Sequence, residues 1–163
     1  MSKFADKKAP GHWRRKLEKH EPPRIETAPD EWAERYGGHK MLIANALLVD
    51  EKLRQVPPGR IITIRRLREQ LAADFDADFA CPLTTGIFAR IAAETSEEDR
   101  SAGRPDPTPW WRLVKDDGSL NPKLPGGGPL QARYLNEEGV RLEPKGKKNI
   151  RITDFAKLLN LSE

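Results

Sequence analysis

Two short helical stretches set close together constrain this chain most. The run Pro57-Pro58-Gly59 ends one amphipathic helix carrying Leu47, Leu48, Leu53 and Val56. Ile61 and Ile62 are then extended, and Thr63 is placed as an N-cap. Ile64, Leu67 and Leu71 follow at the spacing of a short helix stripe, and the other positions include Arg65, Arg66 and Arg68. Asp74 to Ala80 reads as a loop. Pro82 suits the first position of a second helix reaching about Glu94. This is the pattern of a helix-turn-helix unit with a long turn.

The second helix carries the unusual face. Laid out at about 100° per residue, Leu83, Ile87, Phe88 and Ile91 gather on one side and are expected in the core. Thr85, Gly86, Ala89 and Ala93 are left outside, with Thr84 and Arg90 close by. A solvated helix face is normally charged, and this one is small and nearly neutral. Small residues admit a close surface such as a nucleic-acid groove, while Arg65, Arg66 and Arg68 stand ready for phosphates. Burial of both faces inside the domain is the alternative reading.

A formal net charge of +4 over 163 residues is compatible with a polyanionic partner without demanding one. The single cysteine, Cys81, rules out an intrachain disulfide, and no Cys/His cluster has metal-ligand spacing. No cofactor motif is present. The polar, basic start is unlike a secretory signal, and no apolar run reaches the length of a membrane span. The chain reads as soluble and cytoplasmic, nucleoid-associated if bacterial, with no membrane partner.

Three segments follow from the punctuation. Residues 1–40 read as a flexible basic arm, interrupted by Pro and Gly, with Trp13 and Trp32 as docking aromatics. Residues 41–140 form the domain. Residues 141–163 form an extension: a hairpin of Val140–Glu143 and Asn149–Ile152 around a basic turn from Lys145 to Lys148, then a helix over Asp154–Leu161. Within the domain, 95–108 reads as a loop, Trp111 to Lys115 as a strand ended by Asp117-Gly118, and Leu130 to Glu138 as a helix closed by Gly139. The fold class is mainly α with short strands, a winged-helix-like helix-turn-helix domain.

The motifs, taken in order, resemble those of the O6-alkylguanine-DNA alkyltransferases. Val56-Pro-Pro-Gly-Arg-Ile-Ile-Thr63 is similar to the stretch leading into that family's helix pair. Pro109-Trp110-Trp111-Arg112-Leu113-Val114 is similar to its active-site Pro-Cys-His-Arg-Val-Val. Asp117-Gly-Ser-Leu120, Gly126-Gly127 and Tyr134-Leu-Asn-Glu-Glu138-Gly139-Val140 complete the series, which covers roughly 45–140. The resemblance implies binding of duplex DNA in the minor groove by the second helix. It also implies flipping of a damaged guanine into a pocket.

The departures are as informative. Trp110 stands at the position of the acceptor cysteine and Trp111 at that of the activating His, so alkyl transfer is expected to fail. Trp for Cys is the mark of the alkyltransferase-like branch, which recognises alkylated guanine without repairing it and marks it for nucleotide excision repair. Most of that branch keeps the His. The family's inserted Arg aligns with Gly86, its helix-turn aromatic with Ile64 and its pocket-loop Ser with Pro125.

The resemblance thus implies a lesion pocket of Trp110, Trp111, Arg112, Gly126 and Gly127. The expected DNA contacts are Thr63, Arg65, Arg66, Arg68, Thr84, Thr85, Gly86, Ala89 and Arg90. Partners would be double-stranded DNA and nucleotide excision repair proteins. Two other readings stay open. One is a general or architectural DNA binder without base flipping. The other is a repair enzyme with altered chemistry, such as a glycosylase using Asp106, Glu137 or Glu138. Trp110 reads equally as a core aromatic and Glu138 as a helix-end carboxylate, while Cys81, just before the second helix, reads as a small buried or capping residue rather than a substitute nucleophile.

Overall fold

The computed structural model describes residues 9–19 and 21–159. The described residues form six helices: α1 (His12–Glu18), α2 (Asp30–Tyr36), α3 (Ala46–Arg54), α4 (Ile64–Asp74), α5 (Pro82–Ser101) and α6 (Pro129–Glu137). Seven short strands join them in three small sheets. β1 (Arg24–Thr27) pairs antiparallel with β2 (Lys40–Ile43), which pairs parallel with β4 (Phe79–Ala80). β3 (Ile62–Thr63) pairs parallel with β5 (Leu113–Val114). β6 (Leu142–Lys145) and β7 (Asn149–Ile152) form a terminal hairpin. The fold is mainly helical with short strands, as the sequence implies.

Local chemistry sets the boundaries of the helix pair. The Thr63 hydroxyl accepts the Arg66 N–H at 3.2 Å, capping α4 as expected. Pro82 opens α5, where its missing N–H costs nothing. Gly139, just after α6, takes φ 84°, a left-handed conformation that L side chains rarely adopt.

Two expectations are corrected here. The polar segment after Glu94 is helix, because α5 continues to Ser101. Its inward Thr95, Ser96 and Asp99 are satisfied where they are buried. Thr95 Oγ1 donates to the Ile91 carbonyl and Ser96 Oγ to the Thr108 carbonyl, both at 2.7 Å. Asp99 pairs with Arg14.

The arm is the second correction, since from residue 9 the described residues are folded. α1 lies across α5, and the Glu98 carboxylate accepts the N–H groups of Trp13 (3.1 Å) and Arg14 (3.0 Å). A carboxylate from another helix therefore serves the open first turn of α1. Leu17 is buried in the main core, and β1 adds a strand to β2. Residues 1–8 lie outside the described residues.

The extension forms the expected hairpin, its second strand where expected and its first displaced by two residues. The helix expected over 154–161 is a 3₁₀ turn over Phe155–Leu158; residues 160 and 161 lie outside the described residues.

The main core gathers Val49, Leu53, Leu67, Leu71, Ala89, Ala92, Ala93, Trp110 and Leu135. A smaller cluster of Ala28, Met41, Ile43, Phe79 and Cys81 sits under α2. Among the described residues no helix is long and apolar enough to cross a membrane.

Candidate nucleic-acid interface

α5 is turned the other way from its sequence reading. Thr85, Ala89 and Ala93 are buried, whereas Leu83 is 67% and Ile87 50% exposed. Phe88 and Ile91 pack partly against the core. The reason is close packing: Ala89, Ala92 and Ala93 let α5 settle against its neighbouring helices, where longer side chains would force them apart. Thr85 Oγ1 donates to the Cys81 carbonyl at 2.7 Å, so its polar atom is satisfied inside. Of the expected contacts on this helix, Gly86 and Arg90 are exposed, Thr84 is half-buried, and Thr85 and Ala89 face inward.

The arginines of α4 divide similarly. The Arg65 side chain is 73% exposed, beyond a loose contact to Glu69 at 3.9 Å. Arg66 is half-buried, with Glu69 at 3.8 Å. Arg68 lies over the Tyr36 ring, 5.9 Å from its centre. Thr63 is occupied as the cap.

The Pro-Trp-Trp-Arg segment forms a 3₁₀ turn over Trp110–Arg112 leading into β5, in place of the longer strand expected. Trp110 is fully buried, and its indole N–H donates to Glu97 at 2.9 Å. Tyr134 donates to the other oxygen of Glu97 at 2.8 Å. Burial first, then this bond to a carboxylate, raises the Tyr134 hydroxyl above its ordinary value. Trp110, Trp111 and Tyr134 meet edge to face, with ring centres 5.0–6.3 Å apart.

Glu138 is the junction of this region. Its carboxylate accepts the Trp111 indole N–H at 2.9 Å and the Gly59 N–H at 3.0 Å. It also accepts Arg112 Nη2 at 2.6 Å and Nε at 3.1 Å. Arg112 Nη1 donates to the Val56 carbonyl at 2.6 Å. Burial alone would push the Glu138 carboxyl up. The bonds from Arg112, Gly59 and Trp111 outweigh it and hold the group below its ordinary value. Glu138 therefore ties the Pro57-Pro58-Gly59 turn to the Trp-Trp-Arg turn, a role the sequence pattern alone does not reveal.

Two cavities flank this core. One of about 470 Å³ is lined by Trp111, Arg112, Tyr134 and Glu138, with Arg54 and Arg100 among its other walls. The other, about 370 Å³, opens beside the first turns of α5. Ala89, Leu113, Val114 and Leu124 give it buried apolar walls with Ile64, Gly86 stands at its edge, and Lys115, Asp116, Asp117 and Asn121 complete it.

The five residues expected to form one lesion pocket are thus not brought together. Trp111 and Arg112 line the first cavity, Trp110 lines neither, and Gly126 and Gly127 lie in a 3₁₀ turn that closes back on α6. The cavity beside α5 uses the next two residues of the same motif, Leu113 and Val114, which sequence reasoning missed. Their signal was the strand itself, since a parallel pairing of β3 with β5 places Leu113 and Val114 beside the start of α4.

Asp116 and Asp117 fix the second cavity's wall. Asp116 accepts the Arg65 N–H at 2.9 Å. Asp117 accepts from Lys145 of the hairpin and from Ser119, and these bonds hold its carboxyl well below the usual carboxylate range. Cys81 is buried with Met41, Ile43 and Phe79 and lines neither cavity. Among the described residues no group of His, Cys, Asp and Glu is placed to hold a metal ion.

A helix pair, a parallel β3–β5 junction behind it and a carboxylate at the end of α6 joining the turns that lead into β3 and β5 define the arrangement. The fold resembles that of S. pombe Atl1. The crystal structure of Atl1 in complex with damaged DNA containing O6-carboxymethylguanine aligns with a TM-score of 0.51, covering 72% of this chain and 94% of Atl1. Sequence identity is 14%, so the likeness is one of fold. A second S. pombe structure, ATL in complex with DNA, aligns with a TM-score of 0.48 and 14% identity over 83% of this chain and 99% of that one. No protein-family model and no curated sequence matches the chain.

Proposed function

We propose that this chain is a non-enzymatic DNA-binding protein that recognises alkylated guanine in duplex DNA and marks it for repair, with nucleotide excision repair proteins as the downstream partners. The observation that carries the reading is the 370 Å³ cavity set against the outward edge of α5 on a fold resembling Atl1. Its volume is in the range of small-molecule sites. Its apolar walls suit the faces of a purine ring, and its polar residues suit the base's edge. Trp110, in the place of the acceptor cysteine, is a poor nucleophile, and its ring is enclosed by protein. Its role in this reading is to support β5 from behind, while Leu113 and Val114 meet the base. Arg65 supplies a phosphate contact at the start of α4.

Fluorescence anisotropy at fixed salt, with one duplex carrying guanine or O6-methylguanine at a single site, tests this reading. Preference for the lesion duplex is expected. Equal, salt-sensitive affinity supports a general DNA binder in its place. One observation favours that second reading: Gly86 stands where an inserted Arg would be, and Arg90, one turn on, is held by Glu94 at 3.6 Å and lies over Trp13.

A further inference from the structure

The positive charge of this chain is concentrated in one segment. Residues 141–159 hold six Lys and Arg against two Asp and Glu, so they account for the whole formal net charge of +4, and the remaining residues balance. Two of these cations are engaged, Arg151 by Glu143 at 2.8 Å and Lys145 by Asp117. Arg141, Lys147, Lys148 and Lys157 are exposed and have no acidic partner among the described residues. Asp154, the segment's second acid, follows β7 at the base of the hairpin, away from its turn.

The hairpin is fixed to the domain. Ile152 of β7 is buried in the main core, its N–H donates to the Gly118 carbonyl, and the Leu120 N–H donates to the Ile150 carbonyl, both at 2.9 Å. Lys145, the last residue of β6, reaches Asp117 on the wall of the 370 Å³ cavity. Gly146, Lys147 and Lys148 make the turn, with Gly146 at φ 65°. Two unpaired ammonium groups therefore stand two and three residues beyond a side chain that touches the cavity wall. Asp116, on the same wall, accepts the N–H of Arg65 at the start of α4, so the hairpin and the helix pair border one cavity.

We propose that the Lys147–Lys148 turn holds the sugar-phosphate backbone of duplex DNA alongside this cavity, as a contact separate from the α4–α5 pair. The inference rests on the reading of the cavity as the base site. At its rim Lys115 and Asp116 offset one another and Lys145 neutralises Asp117, so the excess charge offered to DNA is that of the turn. Lysine suits a phosphate as a point charge on a flexible stem, without demanding one geometry. Such a contact sets the position of the duplex and carries no sequence information. A turn already fixed to the core gives up little freedom on binding.

The test uses the full chain and duplexes carrying guanine or O6-methylguanine at a single site, titrated by anisotropy over a range of salt concentrations. Lys147→Ala/Lys148→Ala is expected to lower the slope of log affinity against log salt by about 1.8 and to weaken both duplexes by the same factor, about tenfold. Lys147→Arg/Lys148→Arg is expected to keep the wild-type slope. So is Lys19→Ala/Lys40→Ala, which removes the same charge from exposed sites elsewhere. Replacing single phosphates by methylphosphonate locates the contact: one or two positions should cost wild type affinity and cost the Lys147→Ala/Lys148→Ala variant nothing. All four lysines are exposed, so circular dichroism and thermal unfolding should match wild type.

An unchanged slope in Lys147→Ala/Lys148→Ala overturns the contact. So does an equal fall in Lys19→Ala/Lys40→Ala, which assigns the effect to net charge. The two readings fail separately. Equal wild-type affinity for both duplexes, with the slope lowered in Lys147→Ala/Lys148→Ala, removes lesion recognition and keeps the backbone contact. Lesion preference with an unchanged slope keeps recognition and removes the contact. No duplex binding by wild type removes both.

Discussion

Arg112 and Glu138 meet through two guanidinium nitrogens, at 2.6 and 3.1 Å, with the two side chains only 10% and 14% exposed. The pair is more than an ion bridge, because each partner carries a second load. Arg112 holds the Val56 carbonyl and Glu138 holds the Gly59 N–H and the Trp111 indole. Glu138→Gln keeps the shape but leaves a buried guanidinium without its counter-charge. That variant is expected to lose about 3 kcal/mol of stability. Urea unfolding at pH 7 measures it.

The same carboxylate gives the stability a pH dependence. Its folded-state value is depressed below the ordinary 4.5, so the unfolded chain binds the proton more readily. Stability from this group is therefore fully present above about 4.5 and is lost as pH falls through the lower folded value. Unfolding free energies measured from pH 6 to pH 3 should fall more steeply for wild type than for Glu138→Gln. Parallel curves would remove Glu138 as the source.

Trp110 is expected to act as a structural residue. Trp110→Ala removes a fully buried indole and its bond to Glu97, at a cost of about 3–5 kcal/mol. Trp110→Phe should cost less, because the ring volume is partly kept. Calorimetric melting of the two variants, ranked in that order, checks the assignment. A wild-type melting curve for Trp110→Ala would contradict it.

Arg65 and Arg68 should separate in DNA binding. Arg65 is open to solvent and Arg68 is laid over Tyr36. Removing one phosphate contact lowers the slope of log affinity against log salt by about 0.9. Arg65→Ala should show that decrease and Arg68→Ala should leave the slope unchanged. Anisotropy titrations over a range of salt concentrations read both.

Leu17→Ala tests whether the N-terminal segment belongs to the fold. Leu17 is buried in the main core, and truncating it should cost about 2–4 kcal/mol. A cost near zero, read by chemical denaturation, would return α1 to the status of a loose arm.

Punctuation was legible in the sequence. The cap at Thr63, the proline opening α5 and the left-handed Gly139 each need only near neighbours to fix them. The facing of α5 was not legible, because both sides of that helix are largely uncharged near its start. Apolar bulk pointed Leu83 and Ile87 inward. Close helix packing instead selected the alanines, and that preference depends on neighbours in α3 and α1, far away in the chain.

The helical stretch from Thr95 to Ser101 was hidden for a related reason. Its buried polar groups look like loop until Thr108 and Arg14 are seen to satisfy them. The cavity beside α5 was missed because it follows from the pairing of β3 with β5; both segments read as extended, but strands this short carry no pattern that says which pairs with which.

The length of α5 has a mechanical consequence. Twenty helical residues make a rod of about 30 Å. One end carries Leu83 and Ile87, while the other carries Glu98 and Asp99, on which α1 is seated. The first turn and the seat of α1 are therefore parts of one helix, and α1 reaches back along it to its middle, where Arg90 lies over the Trp13 ring.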